Sequence, residues 1–322
     1  MPQTRAPFHL VPSASLAPTV AQARAYANQA TAPATRRAYR TAFADFKDWC
    51  VAQNLAALPA DPAAIGLFLA ARAATHKASS LLMRLVAIRQ AHRAAGYHLD
   101  ASDPAIRNVL QGIARVHGRA VRKKEAATAE VLRDALRALP VDSVKGLRDR
   151  ALLLLGFYAA LRRSELSGLD VQHVTFAPEG VVIFLPRRKT DQEGQGSEIA
   201  VLGKPASTQC PVAALRAWVD AAAISNGPLF RPISRGGRVL DRRLCDRDVA
   251  RMVKAAVARA GYDPEVFGGH SLRAGFATSA GRQNVPERVI MLQTGHKSVA
   301  VLRGYIRRGG LFTDNATQTV TV

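Results

Sequence analysis

The chain is short of acid, of cysteine and of long apolar runs, and each shortage removes a class of protein. Among its 322 residues the most apolar stretch, Ala151 to Leu161, is closed off by Arg150 and Arg162, well under the ~20 residues that span a bilayer. The N-terminal twenty residues are interrupted by Pro2, Pro7, Pro12 and Pro18 and hold no continuous hydrophobic segment of the kind a secretory signal requires. No membrane association is expected, and the cytoplasm is the expected compartment. Three cysteines, Cys50, Cys210 and Cys245, are odd in number and far apart, which excludes a disulfide framework and any paired metal-ligand spacing. There is no internal repeat. A 48% apolar composition suffices for two domain cores.

Acid is outnumbered: Lys and Arg total 45 against 24 Asp and Glu, a formal charge of +21. Such a surplus destabilises a compact chain by self-repulsion unless a polyanion is near, so nucleic acid is the leading partner. Residues 1–122 carry 15 basic and 5 acidic side chains, leaving 30 and 19 for the remainder. A basic tail on a neutral enzyme would concentrate the excess. Here both halves are basic, as expected of two modules that each touch a phosphate backbone.

Periodicity divides the chain in the same way. Residues 1–20 are rich in Pro, Ala and Ser without period and read as a flexible arm. Residues 21–117 read as a helical bundle. Tyr39, Phe43, Phe46 and Trp49 share one helix face, with Arg36, Arg37, Arg40 and Lys47 opposite. Asp61-Pro62 and Asp103-Pro104 each pair a capping carboxylate with proline at the first helical position, and a third helix runs through Leu82, Leu85, Val86 and Ile88 to Gly96. Arg36, Arg37, Arg40, Arg84, Arg122, Lys123 and Lys124 are the candidate DNA contacts, the last three in a basic linker spanning 118–127. Residues 128–308 read as a mixed domain: a buried helix over Leu147–Tyr158, three short β-branched runs (Val171–Phe176, Gly180–Leu185, Ser197–Leu202) forming a small antiparallel sheet, then helices. Residues 309–322 read as a tail.

Chemistry concentrates in the second domain. Arg162 and Glu165 stand three residues apart, where a guanidinium and a carboxylate fix one another. Lys189 lies in RRKT, where a strand enters the DQEGQG turn, with Arg188 and Lys204 as rival cations near the hairpin. His270 and Arg273 form HSLR after two glycines, and His296 precedes Tyr305 by nine residues. Two guanidinium forks suit the non-bridging oxygens of a phosphodiester. A phenol suits reversible attack, because its oxygen both ionises and leaves. His296 can donate a hydrogen bond, His270 can accept the phenol proton or hold the phosphate, and Lys189 can protonate the departing 5′-oxygen. No carboxylate cluster suited to Mg²⁺ is visible, so no metal or other cofactor is expected.

In order, type and spacing, LRRSEL, RRKT, HSLR and TGHKSVAVLRGY resemble the arginine box, hairpin lysine, His-x-x-Arg box and His-to-tyrosine segment of the tyrosine recombinase, or phage integrase, family. The resemblance spans the chain. It implies a mainly α fold with a small antiparallel sheet, a helical DNA-clamping domain and an α+β catalytic domain. It further implies a 3′-phosphotyrosyl intermediate, double-stranded DNA as partner, a homotetramer on two synapsed sites from a monomer free in solution, a bacterial cytoplasmic or nucleoid setting, and a bracing role for Glu165. One departure is Ala159-Ala160, where many relatives have a small residue and glycine. Two alternatives share the residues: a type IB topoisomerase, which relaxes supercoils without a synapsed partner, and a DNA-binding regulator that performs no chemistry.

Overall fold

The computed structural model describes residues 16–118, 124–188, 191, 195–205 and 207–309. The chain divides into two compact units, Met1–Arg122 and Lys123–Val322. It is mostly helical, with one three-stranded antiparallel sheet.

The first unit holds α1 (Ala17–Gln29), α2 (Pro33–Ala52), α3 (Pro62–Arg72), α4 (Ala78–Ala94) and α5 (Pro104–His117). Helix α1 begins inside the stretch expected to be a flexible arm: Pro18 falls in its first turn, where a fixed φ and a missing N–H cost nothing. The two Asp-Pro starts act locally as read, Asp61 Oδ1 accepting from the Ala63 amide at 2.7 Å and Asp103 Oδ1 from Ala105 at 2.8 Å. Helix α2 packs on α4 and α3 on α5 around Phe46, Ile65, Phe68, Leu81, Ile88 and Ile106. The Phe46 and Phe68 rings meet edge to face at 5.1 Å, a geometry that adds to the roughly 1.5–3 kcal/mol gained by burying each ring. On α4 the apolar face is turned from the one expected. Leu81, Leu85 and Ile88 point inward, whereas Leu82 and Val86 are exposed.

The second unit is centred on α7 (Val144–Tyr158), ten of whose fifteen residues are buried. Around it lie α6 (Ala129–Arg137), α8 (Arg163–Gly168), α9 (Pro211–Ala221), α10 (Asp246–Arg259), α11 (Ser271–Arg282), α12 (Glu287–Thr294) and α13 (Val299–Gly309). The sheet runs β1 (Val174–Ala177), β2 (Gly180–Leu185), β3 (Ser197–Leu202) in sequence order. Its first expected strand is shortened because Val171–His173 form a 3-10 turn in which the Asp170 amide donates to His173 Nδ1. Register pairs Val181 with Val201 and Ile183 with Ile199. Val181, Ile183 and Leu185 therefore enter the core, as a period of two requires. Residues 124–127, read as linker, lie in the second unit and are hydrogen-bonded within it: Glu125 N donates to Val266 O and Ala127 N to Ser271 O, at 2.7 and 2.9 Å. A β-carbon at Gly275 would overlap the Ala127 carbonyl, so glycine there lets α11 carry this strap. Among the described residues no helix is long and apolar enough to cross a membrane.

Candidate active site

The site is assembled where α7 ends. Ala159, Ala160 and Leu161 are buried, and Ala160 takes a positive φ of 49°, a left-handed conformation that a β-carbon disfavours. The turn delivers Arg162 to the N-terminus of α8. There the Arg162 amide donates to Glu165 Oε2 at 2.8 Å and its Nη1 to Oε1 at 2.5 Å. Glu165 thus answers both the orphan amide of the helix start and the guanidinium, which accounts for its i+3 spacing. Its side chain is 6% exposed, so the pair is held largely out of water.

Helix α11 brings the second guanidinium. His270 stands at its N-cap, and one turn on Arg273 is buried to 1% exposure. Arg273 Nη1 donates to the Ala160 carbonyl at 2.8 Å, so the strained turn before Arg162 also anchors Arg273. Among the described residues its Nε and Nη2 have no hydrogen-bond partner. Burial, then the Arg162 charge, lowers its pKa to about 10; it remains cationic at neutral pH. The close approach of α7 to α8 and α11 depends on Gly156, where a β-carbon would meet Leu166 and Leu272 within 3 Å.

Helix α12 ends at Gly295 in the left-handed conformation, φ 64°, and this turn presents His296. Thr294 Oγ1 donates its one proton to the Ile290 carbonyl at 2.7 Å, so in the 2.8 Å contact between Thr294 Oγ1 and His296 Nδ1 the imidazole Nδ1–H is the donor. Neutral His296 consequently carries its lone pair on Nε2. Burial, reinforced by Arg273, Arg162, His270 and Arg188, holds it neutral, with its pKa lowered to about 4. Tyr305, on α13, packs with the apolar cluster Ala277, Ala280, Ile290 and Leu302. Its ring centroid is 5.8 Å from that of His296.

Arg162, Glu165, Arg273, His296 and Tyr305 therefore share one basin, and His270 is near enough to depress His296. Arg188, weighed in the sequence only as a rival to Lys189, belongs to the same basin: its Nη2 donates to the Thr294 carbonyl at 3.2 Å and its Nε lies 3.8 Å from Glu165 Oε1. The signal for it was the doubled arginine of RRKT; its burial came from contacts over a hundred residues away. Lys189, Arg122 and Lys123 lie outside the described residues. Of the other candidate DNA contacts, Arg36, Arg37 and Arg40 are exposed along α2. Arg84 is committed to the fold, its Nε donating to Asp45 at 2.9 Å and its Nη2 meeting His76 Nε2 at 2.8 Å. Lys124 is exposed and donates to the Glu265 carbonyl.

Comparison with known proteins bears on the same elements. The profile of the phage integrase family matches residues 125–309. An integrase/recombinase xerD homolog of Selenomonas ruminantium is 40% identical over 285 residues, covering 88% of this chain and 84% of its own. Tyrosine recombinase XerC of Mycobacterium sp. strain KMS is 28% identical over 288 residues, 84% of this chain and 87% of its own. In fold, a lambda integrase fragment solved as a dimer bound to a COC′ core site superposes with a TM-score of 0.60 over 88% of this chain and 92% of that one, at 16% identity. XerH site-specific recombinase bound to a palindromic difH substrate superposes at 0.59, also at 16% identity, over 80% and 72% of the two chains.

Proposed function

The chain belongs to the phage integrase family and is a tyrosine recombinase, and we propose that it cuts and rejoins double-stranded DNA at a specific site by passing a phosphodiester through Tyr305. One observation carries the reading: the buried guanidinium of Arg273 leaves two nitrogens unpaired in the basin that holds Arg162, His296 and Tyr305. A buried, under-bonded cation is costly without an anion. A phosphodiester supplies it.

In the proposed step the Tyr305 phenol oxygen attacks phosphorus, the bond to the 5′-oxygen breaks, and a 3′-phosphotyrosyl ester forms. The phenol proton passes to the His270–His296 pair, where the tautomer of His296 leaves Nε2 as an acceptor. Once protonated, His296 donates to a phosphate oxygen, strengthening the basin as charge develops. Arg162 and Arg273 present forks to the non-bridging oxygens, and Lys189 is the proposed acid for the leaving 5′-oxygen. The freed 5′-hydroxyl of a partner duplex then attacks the phosphotyrosine. One ester replaces another, so the scheme requires no metal ion and no ATP. The proposed assembly is a monomer in solution and a tetramer on two synapsed sites, working in the bacterial cytoplasm or nucleoid. Residues 21–117 would form the helical DNA-binding domain, with Arg36, Arg37 and Arg40 on phosphates, and 128–308 the catalytic domain.

Sequencing DNA recovered in covalent adducts identifies the site. A nicked duplex bearing that site then tests the reading: the unaltered chain gives an adduct and strand-exchanged products, whereas Tyr305→Phe binds the duplex with unchanged affinity and gives neither. Adduct formation by Tyr305→Phe refutes the nucleophile, adducts without exchange point to a topoisomerase, and DNA binding without any adduct points to a regulator.

A further inference from the structure

Arg188 is 7% exposed, yet its bonding is poor. Among the described residues it donates one hydrogen bond, Nη2 to the Thr294 carbonyl, and its Nε has no hydrogen-bond acceptor, standing 3.8 Å from Glu165 Oε1. Buried ions so loosely paired are weak stabilisers, and an apolar side chain of similar volume commonly matches or exceeds them. The surroundings make retention harder still: burial lowers the Arg188 pKa, Glu165 opposing this and Arg162 adding to it. Stability alone does not account for an arginine here.

Its contacts do. One side chain touches both turns on which the chemistry depends. Through Glu165 it reaches the carboxylate that fixes Arg162; through the Thr294 carbonyl it holds the residue that fixes the His296 tautomer. It also packs against Gly295, where a β-carbon would overlap its Nη1. Glycine at that point answers two demands, the left-handed φ of 64° and the guanidinium beside it. Among the described residues, Arg162, Arg273 and Arg188 against Glu165 give the basin a surplus of positive charge. Surplus positive charge favours the two negative charges of a pentacoordinate phosphorane over the single charge of a ground-state phosphodiester, the difference on which rate acceleration depends. We infer that Arg188 is a positioning residue for strand transfer, locking Glu165 and the Gly295–His296 turn together and completing the charge of the basin. This rests on the recombinase reading given above.

The test replaces Arg188 with methionine, which fills the volume without the charge. A purely structural arginine predicts unchanged or raised thermal stability with unchanged chemistry. Positioning predicts a folded protein that binds the nicked duplex within about threefold of the parent affinity, while adduct formation in single turnover slows about 100-fold, an effect on the chemical step and not on binding. A second readout needs no DNA. In the intact chain, the His296 titration followed by nuclear magnetic resonance should move upward in Arg188→Met, because one of the guanidinium groups depressing it, alongside Arg162 and Arg273, is gone. If Arg188→Met does not fold, Arg188→Lys retains charge without the fork, and it should cut more slowly than the parent by about tenfold or more. Parental adduct rates with a parental His296 titration in either folded variant overturn the proposal. An unaltered chain that forms no adduct overturns the recombinase reading itself, and with it this one.

Discussion

Both units bury polar side chains, but they satisfy them differently. In the first unit every such group described is answered. Asp45 accepts from Arg72 at 2.8 Å and from Arg84 at 2.9 Å. His92, 1% exposed, donates from Nδ1 to the Ile88 carbonyl and accepts the Ala60 amide on Nε2. In the second unit, Arg273 leaves two nitrogens without partners and Arg188 one; among the described residues the only other buried unpaired side-chain atom is Ser197 Oγ. Paired groups of the first kind stabilise a fold. Unpaired buried guanidinium nitrogens cost stability, and among the described residues those nitrogens belong to two arginines of the candidate active site.

The sharpest test of that contrast deletes apolar mass from the satisfied side. Phe46, fully buried against Phe68 at 5.1 Å, is expected to cost the first unit about 3–5 kcal/mol on replacement by alanine. The denaturant midpoint of that unit reads the loss, and a change under about 1 kcal/mol would mean that its core is not built as described. On the unsatisfied side the outcome is reversed in kind. Arg273→Lys should leave thermal stability near parental, since the fork it removes is mostly unbonded, yet reduce the rate of adduct formation about 10²–10³-fold, because an ammonium cannot supply two parallel donors. Near-parental turnover would show that the unpaired nitrogens do not serve the phosphate.

What was legible in the sequence follows the range of the interactions involved. The starts at Asp61 and Asp103 depend on bonds two residues long and were readable without a fold. So were the Arg162–Glu165 pair and the alternation of β2. Other outcomes depend on partners remote in sequence. Arg84 read as a candidate DNA contact, but Asp45, 39 residues earlier, accepts its Nε hydrogen bond. Arg188 read as a rival cation to Lys189, but in the fold it is buried and donates to the Thr294 carbonyl, 106 residues on. The tautomer of His296 was invisible for the same reason in miniature: it follows from the hydroxyl of Thr294 being already engaged with Ile290.

Acid should separate the units by a smaller margin. His296 titrates near 4 in the folded chain against an ordinary 6.5. Below about 6.5 the unfolded chain binds a proton that the folded chain refuses until about 4, so the stability of the second unit declines as pH falls through that window; above it both forms are neutral and the residue contributes nothing. Denaturant midpoints measured from pH 7.5 to 5 should fall less steeply in His296→Gln than in the parent. An identical slope would remove His296 as the source.

The finest distinction lies at Ala160, where fold and site meet in one peptide. Its φ of 49° strains a side chain that has a β-carbon, while its carbonyl receives Arg273 at 2.8 Å. Ala160→Gly removes the strain but frees the unfolded chain by a comparable amount, so stability should move by less than about 1 kcal/mol in either direction. If the turn is dictated by the buried packing of Ala159 and Leu161, the carbonyl stays on Arg273 and adducts form at the parental rate. If instead the rate falls while the melting temperature holds, the methyl group itself keeps the turn in place, and strain at 160 is part of how Arg273 is aimed.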